Sequence, residues 1–211
     1  RKLSGMFATM ARNLAIDRLR AAGFRVSVIT AFSNLNVEDF DALLAHCAEE
    51  GGGLYELAEL ATSGTRLSPE AGSALRSLGT ADRLVEMIRS LHQDVLDGRY
   101  YLPGRLVTEA GIVTDDWLRP GLTAGLREVL ATTAEQARRC LYTGATQLPE
   151  DERPGAVSVL VLAALRARLL ERLTRRRFEV IGHWTELSGW RKLLTAWNSA
   201  RRGLQGRPPR L

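Results

Sequence analysis

The sequence predicts an all-α protein, and three features carry that prediction. Apolar residues recur at three- and four-residue steps in nearly every segment, the spacing that lines up one face of a helix. Helix start and stop signals bracket several of these segments, Ser68 ahead of Pro69 and Gly23 after residues 6–22 among them. No Asn-Gly or Asp-Gly turn sits between alternating apolar runs, and the one Asp-Gly pair, Asp97-Gly98, follows a helical stretch. With 211 residues and 45% hydrophobic content the chain can bury a sizeable core, so residues 1–203 read as a single helical domain. The remainder, "LQGRPPRL" (204–211), reads as a flexible basic tail.

Taken in order, residues 6–23 form a periodic segment closed by Gly23, and residues 24–34 fit a further short helix. Residues 37–64 carry Phe40, Leu43, Leu44 and Cys47 on one face, then Gly51, Gly52 and Gly53, then a second apolar run from Leu54. Each glycine inside a helix costs about 1 kcal/mol relative to alanine, so three together require a break, a kink or a close approach to the backbone. From Ser68 a long helix runs to Asp97, its stripe made of Leu84, Met87, Ile88, Leu91 and Val95. Glu86, Arg89, Ser90, Asp94 and Asp97 lie beside or opposite that stripe, and the loop Gly98-Arg99-Tyr100-Tyr101-Leu102-Pro103 follows. Residues 114–148, 153–178 and 186–203 read as three further helices, and the four tryptophans, Trp117, Trp184, Trp190 and Trp197, as core packing.

No apolar run approaches the length of a spanning helix; "GAVSVLVLAAL" (155–165) gives way to Arg166 and Arg168. Cys47 and Cys140 show neither a CxxC nor a Cys/His ligand spacing and read as buried free thiols, compatible with a reducing cytoplasm. The net charge of +5 gathers toward the C-terminus, in "RARLLERLTRRRF" (166–178) and "RPPR" (207–210). Such a balance suits an anionic membrane surface or a phosphorylated small molecule. Few aromatics interleave the basic residues and no nucleic-acid motif appears, so nucleic acid is not expected as a partner. The expected location is cytoplasmic, with peripheral membrane contact left open. No signal-peptide pattern begins the chain.

Three regions together resemble the squalene/phytoene synthase family, which joins isoprenoid diphosphates in a helical fold around a central cavity. "LLAHCAEEGGGLYEL" (43–57) is similar to the family's Tyr-Cys and glycine-containing helix. "IRSLHQDVLDGRYYLP" (88–103) is similar to Asn-x-x-Arg-Asp-x-x-x-Asp followed by Gly-Arg-x-Tyr-x-Pro. "LERLTRRRFEVIGHWTELSGWRKLLTAW" (170–197) is similar to its closing helices. Arg89 and Asp94 fall on the family's arginine and second aspartate, while Ser90 replaces the first aspartate and Glu86 the asparagine. His46 stands at the tyrosine position and Tyr55 at that of a small glycine.

The resemblance implies a prenyltransferase acting on isoprenoid diphosphates with Mg²⁺. It assigns Asp94 and Glu86 to the metal, Arg89, Arg99 and Tyr101 to the diphosphate, and His46 with Asp94 to catalysis. Aspartates four apart on a helix can share Mg²⁺, and arginines add fork-shaped contacts to a diphosphate. The family's first aspartate-rich motif would precede the region matched by residues 6–32. The N-terminal helices that carry it are therefore expected to be absent; either the motif comes from a missing N-terminal portion or a partner protein, or this protein does without it. The alternative is a catalytically inactive member acting as a binding or complex-assembly factor. The mitochondrial complex I assembly factors of this family have a Leu-Arg-Ser-like sequence resembling Ile88-Arg89-Ser90.

Overall fold

A computed structural model of the chain describes residues 40–53, 55, 68–117, 119 and 121–211. The helices expected over 6–23 and 24–34, and most of the second half of that expected over 37–64, lie outside these. Every regular element among the described residues is helical. In chain order these are α1 (Phe40–Cys47), a π-helical turn (Ala48–Gly52), α2 (Pro69–Leu96), α3 (Gly104–Glu109), a 3₁₀ turn (Thr114–Trp117), α4 (Ala124–Gln147), α5 (Val157–Arg175) and α6 (Gly189–Leu204).

The organising element is α2. Ser68 caps it, its Oγ accepting from the Ala71 amide at 3.1 Å, and Pro69 takes the first turn, where no amide hydrogen is needed. Leu84, Ile88, Leu91 and Val95 are all buried, as the stripe predicts, and Met87 with them. The helix ends on left-handed Gly98: the Gly98 amide donates to Val95 and the Arg99 amide to Asp94 at 2.7 Å. This double bond pattern closes the last turn and aims Arg99 back at the helix it follows.

Small residues set how closely the neighbours approach. At Gly144 of α4 a Cβ would lie 2.6 Å from the Ala74 carbonyl of α2. The π-helical turn meets α2 with equal intimacy: a Cβ on Gly51 would overlap the Gly79 carbonyl, and one on Gly52 would lie 2.7 Å from Arg76 Cγ. Gly53 faces open space. Two of the three consecutive glycines thus answer a close helix approach, at a point where the π-turn widens the helix.

The helix expected over 114–148 is divided. A 3₁₀ turn ends at Trp117, Gly121 is left-handed, and α4 begins afresh with Thr123 Oγ1 accepting from the Leu126 amide. Pro120 and Gly121 in sequence account for the division, since one lacks an amide hydrogen and the other favours positive φ. Residues 153–156 form turns, so α5 starts only at Val157. It closes with both Arg177 and Phe178 left-handed, Phe178 being 4% exposed and its amide donating to Leu173.

Residues 204–211, expected as a loose tail, are held against the bundle. Arg153 donates to the Gly206 carbonyl at 2.7 Å, Arg202 to the Pro208 carbonyl at 2.8 Å, and Pro209 is buried. The tryptophans also depart from expectation. Trp117 is buried, whereas Trp184, Trp190 and Trp197 are more than half exposed. No described helix is long and apolar enough to cross a membrane.

Candidate functional site

The polar edge of α2 carries two clusters, one a turn and more beyond the other. The first begins with Asp82 and Glu86, one helical turn apart and so on the same face. Arg166, projecting from α5, bridges them: its Nε meets Asp82 and its Nη1 donates to Glu86 Oε2 at 3.0 Å. The other Glu86 oxygen accepts from Arg89. Burial alone would lower the Arg166 pKa, but Asp82 and Glu86 outweigh it and hold the guanidinium above the ordinary arginine range. Tyr55 is buried beside this network; burial first, then the Asp82 charge, pushes its hydroxyl well above the usual tyrosine range.

Arg89 is fixed from a second side. Its guanidinium lies 4.4 Å from the centroid of the Trp184 ring, a cation–π contact. Trp184 donates from Nε1 to Glu186 at 2.9 Å. That bond, with the charges of Lys192 and Arg89, draws the Glu186 carboxyl below its ordinary pKa. Although gripped by Glu86 and Trp184, Arg89 keeps one buried donor, Nε, without a hydrogen-bond partner.

These groups border a cavity of about 230 Å³ lined by Leu162, Leu165, Leu169 and Leu187, with Arg89, Arg166, Lys192 and Glu186 at its polar side. Apolar walls with a few convergent charged groups are the usual make-up of a small-molecule site. The volume falls below the range of about 300–1,000 Å³ typical of such sites. Val85, Met87 and Val95 are core side chains.

The second cluster closes α2. Asp94 accepts from the Ser90 hydroxyl at 2.5 Å on Oδ2 and lies 3.3 Å from Arg99 on Oδ1. Ser90 Oγ is also 2.9 Å from the Glu86 carbonyl, and its single proton favours the nearer, charged acceptor. Arg99 binds Asp97 as well, at 2.6 Å, and its Nε is buried without a hydrogen-bond partner. Tyr101 packs half-buried against the core, near enough to Arg99 to act on its charge. Tyr100 meets the buried Trp117 edge to face, ring centroids 5.4 Å apart. The Gly-Arg-Tyr-Tyr-Leu-Pro string is thus pinned at both ends, by its glycine turn and by buried Leu102.

The structure therefore divides the predicted residues. Arg89 lines the leucine cavity, with Glu86 holding it in place. Asp94, Arg99 and Tyr101 form the cluster at the helix end. His46 is half-buried in the last turn of α1, next to Cys47, whose sulfur lies 4.0 Å from that of Met87. His46 lines neither of the cavities described in this chain. Glu86, expected as a metal ligand beside Asp94, has instead both oxygens on guanidinium groups. Among the described residues no three His, Cys, Asp or Glu side chains gather as a metal site. Asp94 likewise has both oxygens engaged, one by the Ser90 hydroxyl and one by Arg99. Both described cysteines are free, Cys47 buried and Cys140 half-buried with its thiol pKa raised by burial.

Sequence reading missed Asp82, Arg166, Trp184 and Glu186. Asp82 carried a signal, one turn before Glu86 on the same face. Arg166 and Trp184 carried none, because their roles depend on packing between segments some eighty or more residues apart.

A family model described as squalene/phytoene synthase matches residues 4–198. The phytoene synthase of Thermus thermophilus is 26% identical over 159 residues, covering 72% of this chain and 51% of that protein. The phytoene synthase of Rhodobacter capsulatus is 28% identical over 137 residues, covering 63% and 40% respectively. The crystal structure of a dehydrosqualene synthase in complex with ligand shares the fold, with a TM-score of 0.68 at 18% identity. That likeness covers 80% of this chain and 59% of the other. The chain spans about half the length, or less, of the curated relatives it matches.

Proposed function

Since the chain belongs to the squalene/phytoene synthase family, we propose that it binds an isoprenoid diphosphate as a prenyltransferase, in part or in whole. One observation carries this reading above the others. Arg89 presents a buried, unpartnered Nε beside a cavity walled by four leucines. A buried donor without an acceptor calls for an explanation, and an anion is the natural one for a guanidinium. A ligand with a diphosphate head and an allylic tail satisfies both halves of the site at once.

In this reading Leu162, Leu165, Leu169 and Leu187 form the apolar wall against which the prenyl chain lies. Arg89 meets the diphosphate, held in register by Glu86 and by stacking on Trp184. Arg99, with its own free Nε, gives a second contact from the end of α2. Asp94 is the carboxylate that would hold Mg²⁺, which when bound supplies positive charge to the departing diphosphate. The allylic C–O bond breaks with its electron pair leaving on the diphosphate, and the allylic carbon forms its new bond to the π electrons of an acceptor, which then loses a proton. The leucine walls themselves offer the cation no nucleophile. No role for His46 follows from its place in α1, so it stands outside this proposal.

A second reading, a family member that binds or assembles without catalysis, is favoured by one specific feature. Both oxygens of Asp94 and both of Glu86 are already engaged by protein groups. Calorimetry with farnesyl diphosphate separates the two. The prenyltransferase reading expects binding that tightens with Mg²⁺, a dependence lost in Asp94→Ala. Arg99→Ala should weaken binding with and without metal. Tight binding indifferent to both Mg²⁺ and Asp94 supports the non-catalytic reading, and no binding with or without metal removes the diphosphate proposal for this chain.

A further inference from the structure

The outer face of α6 is apolar and has no partner among the described residues. Trp190, Leu193, Leu194 and Trp197 fall at helical spacing and are 71, 62, 48 and 67% exposed; Leu204 extends the same stripe. The opposite face is the one that packs: Ser199 and Gly203 are buried, and a Cβ on Gly203 would lie 3.1 Å from Val157 of α5. The helix is therefore anchored by its small residues and turns its largest apolar side chains outward.

Alongside the stripe, between α5, α6 and the C-terminal segment, runs a groove of about 790 Å³. Nine arginines line it against a single carboxylate, Glu171, which is already shared by Arg168 and Arg175. Arg172 in this groove has a buried Nε with no hydrogen-bond partner. The left-handed close of α5 at Arg177 and Phe178 ends the helix directly after Arg175 and Arg176, so these basic groups sit at the groove's end. Arg202, which holds Pro208, fastens the C-terminal segment that brings Arg207 and Arg210 to the same groove.

An exposed Trp/Leu stripe beside a concentrated arginine groove fits one partner chemistry. The geometry points to an anionic lipid bilayer surface: α6 lies in its plane with Trp190, Leu193 and Trp197 in the interfacial layer, and the arginine groove takes lipid phosphates alongside. Helices with Trp and Leu on one face and Arg and Lys on the other bind such surfaces by combining apolar burial with charge attraction. Tryptophan in particular favours the headgroup boundary. An excess of eight positive charges in one concave strip gives the attraction its sign. This inference stands independently of prenyl chemistry, since it uses none of the residues that border the leucine cavity apart from the shared Leu187.

The test is sedimentation of the purified chain with two kinds of vesicle, phosphatidylcholine alone and equal parts phosphatidylcholine and phosphatidylglycerol. The anionic vesicles should bind at least about tenfold more strongly, with a blue shift of tryptophan emission. Two paired variants separate the contributions. Trp190→Ser with Trp197→Ser should abolish the blue shift and weaken binding at least about tenfold. Arg176→Gln with Arg191→Gln should weaken binding to anionic vesicles while leaving the weak binding to phosphatidylcholine unchanged. All four side chains are exposed, so a circular dichroism spectrum like the parent's is expected and checks that the variants fold. The inference is overturned if the chain ignores both vesicles, or if the tryptophan pair leaves binding intact. It is overturned equally if free inorganic diphosphate releases the chain from anionic vesicles while having the same affinity for the tryptophan variant, which would make the groove a soluble-anion site. Self-association in the absence of lipid that the tryptophan pair removes would assign the stripe to a second copy instead.

Discussion

Arg166 joins two helices through two carboxylates; its loss takes the ion pair from Asp82 and leaves Glu86 with Arg89 alone. At 25% side-chain exposure the net is sheltered without being dry, so the cost lies between that of a surface pair and a fully buried one. Arg166→Ala is expected to destabilise the chain by about 1–3 kcal/mol in urea unfolding, with Arg166→Lys recovering part of it. Tyr55 adds a pH dependence of determinate sign. Its folded pKa is raised by burial and by Asp82. Its contribution to stability is therefore fully present below the unfolded value of about 10 and declines as pH rises above it. Unfolding midpoints measured at increasing pH in the alkaline range should fall for the parent and fall less for Tyr55→Phe.

The helix elements were largely legible in sequence, because the signals that make them are local. Ser68 and Pro69 start α2 where they should, and the Asp97-Gly98 turn stops it. The triple glycine was legible as a close approach but not in detail. Which of three identical residues is crowded depends on the rotation of α2 against the π-turn, and no local rule contains that rotation. The structure resolves it and sets the mutational order. Gly52→Leu is expected to cost about 1–3 kcal/mol through overpacking on Arg76. Gly53→Ala meets nothing and should be neutral or stabilising by about 0.4–1 kcal/mol. Thermal melts of the two variants side by side check this, and equal melting temperatures would mean the two positions are not distinguished by packing.

The three outward tryptophans and the held C-terminal segment mark where composition misled. A Trp/Leu stripe at helical spacing normally faces inward, and only the burial of Ser199 and Gly203 reveals that α6 is turned the other way round. Proline and arginine in 204–211 read as solvated, yet Arg153 and Arg202 supply backbone acceptors there with donors from elsewhere in the fold.

At the scale of the whole molecule, the site combines one half that sequence resemblance points to and one half that only folding assembles. Arg89, Asp94 and Arg99 stand at recognisable positions of a motif. The leucine walls come from α5 and from Leu187, and the residues that orient Arg89 come from Trp184 and Glu86. At about 230 Å³ the cavity is small for a prenyl chain. In the proposed function, head and tail of one ligand are recognised together at Arg89 and the leucines. Its most direct test is a pair of titrations, farnesyl diphosphate against inorganic diphosphate, on the parent, on Arg89→Ala and on Leu165→Trp. Farnesyl diphosphate should bind the parent more tightly than inorganic diphosphate. Leu165→Trp, which fills the cavity, should erase that advantage. Arg89→Ala should weaken both ligands by about 1.5–3 kcal/mol, the worth of a sheltered charged hydrogen bond. Equal affinity of the parent for the two ligands, or a farnesyl advantage that survives Leu165→Trp, would show that head and tail are not recognised together.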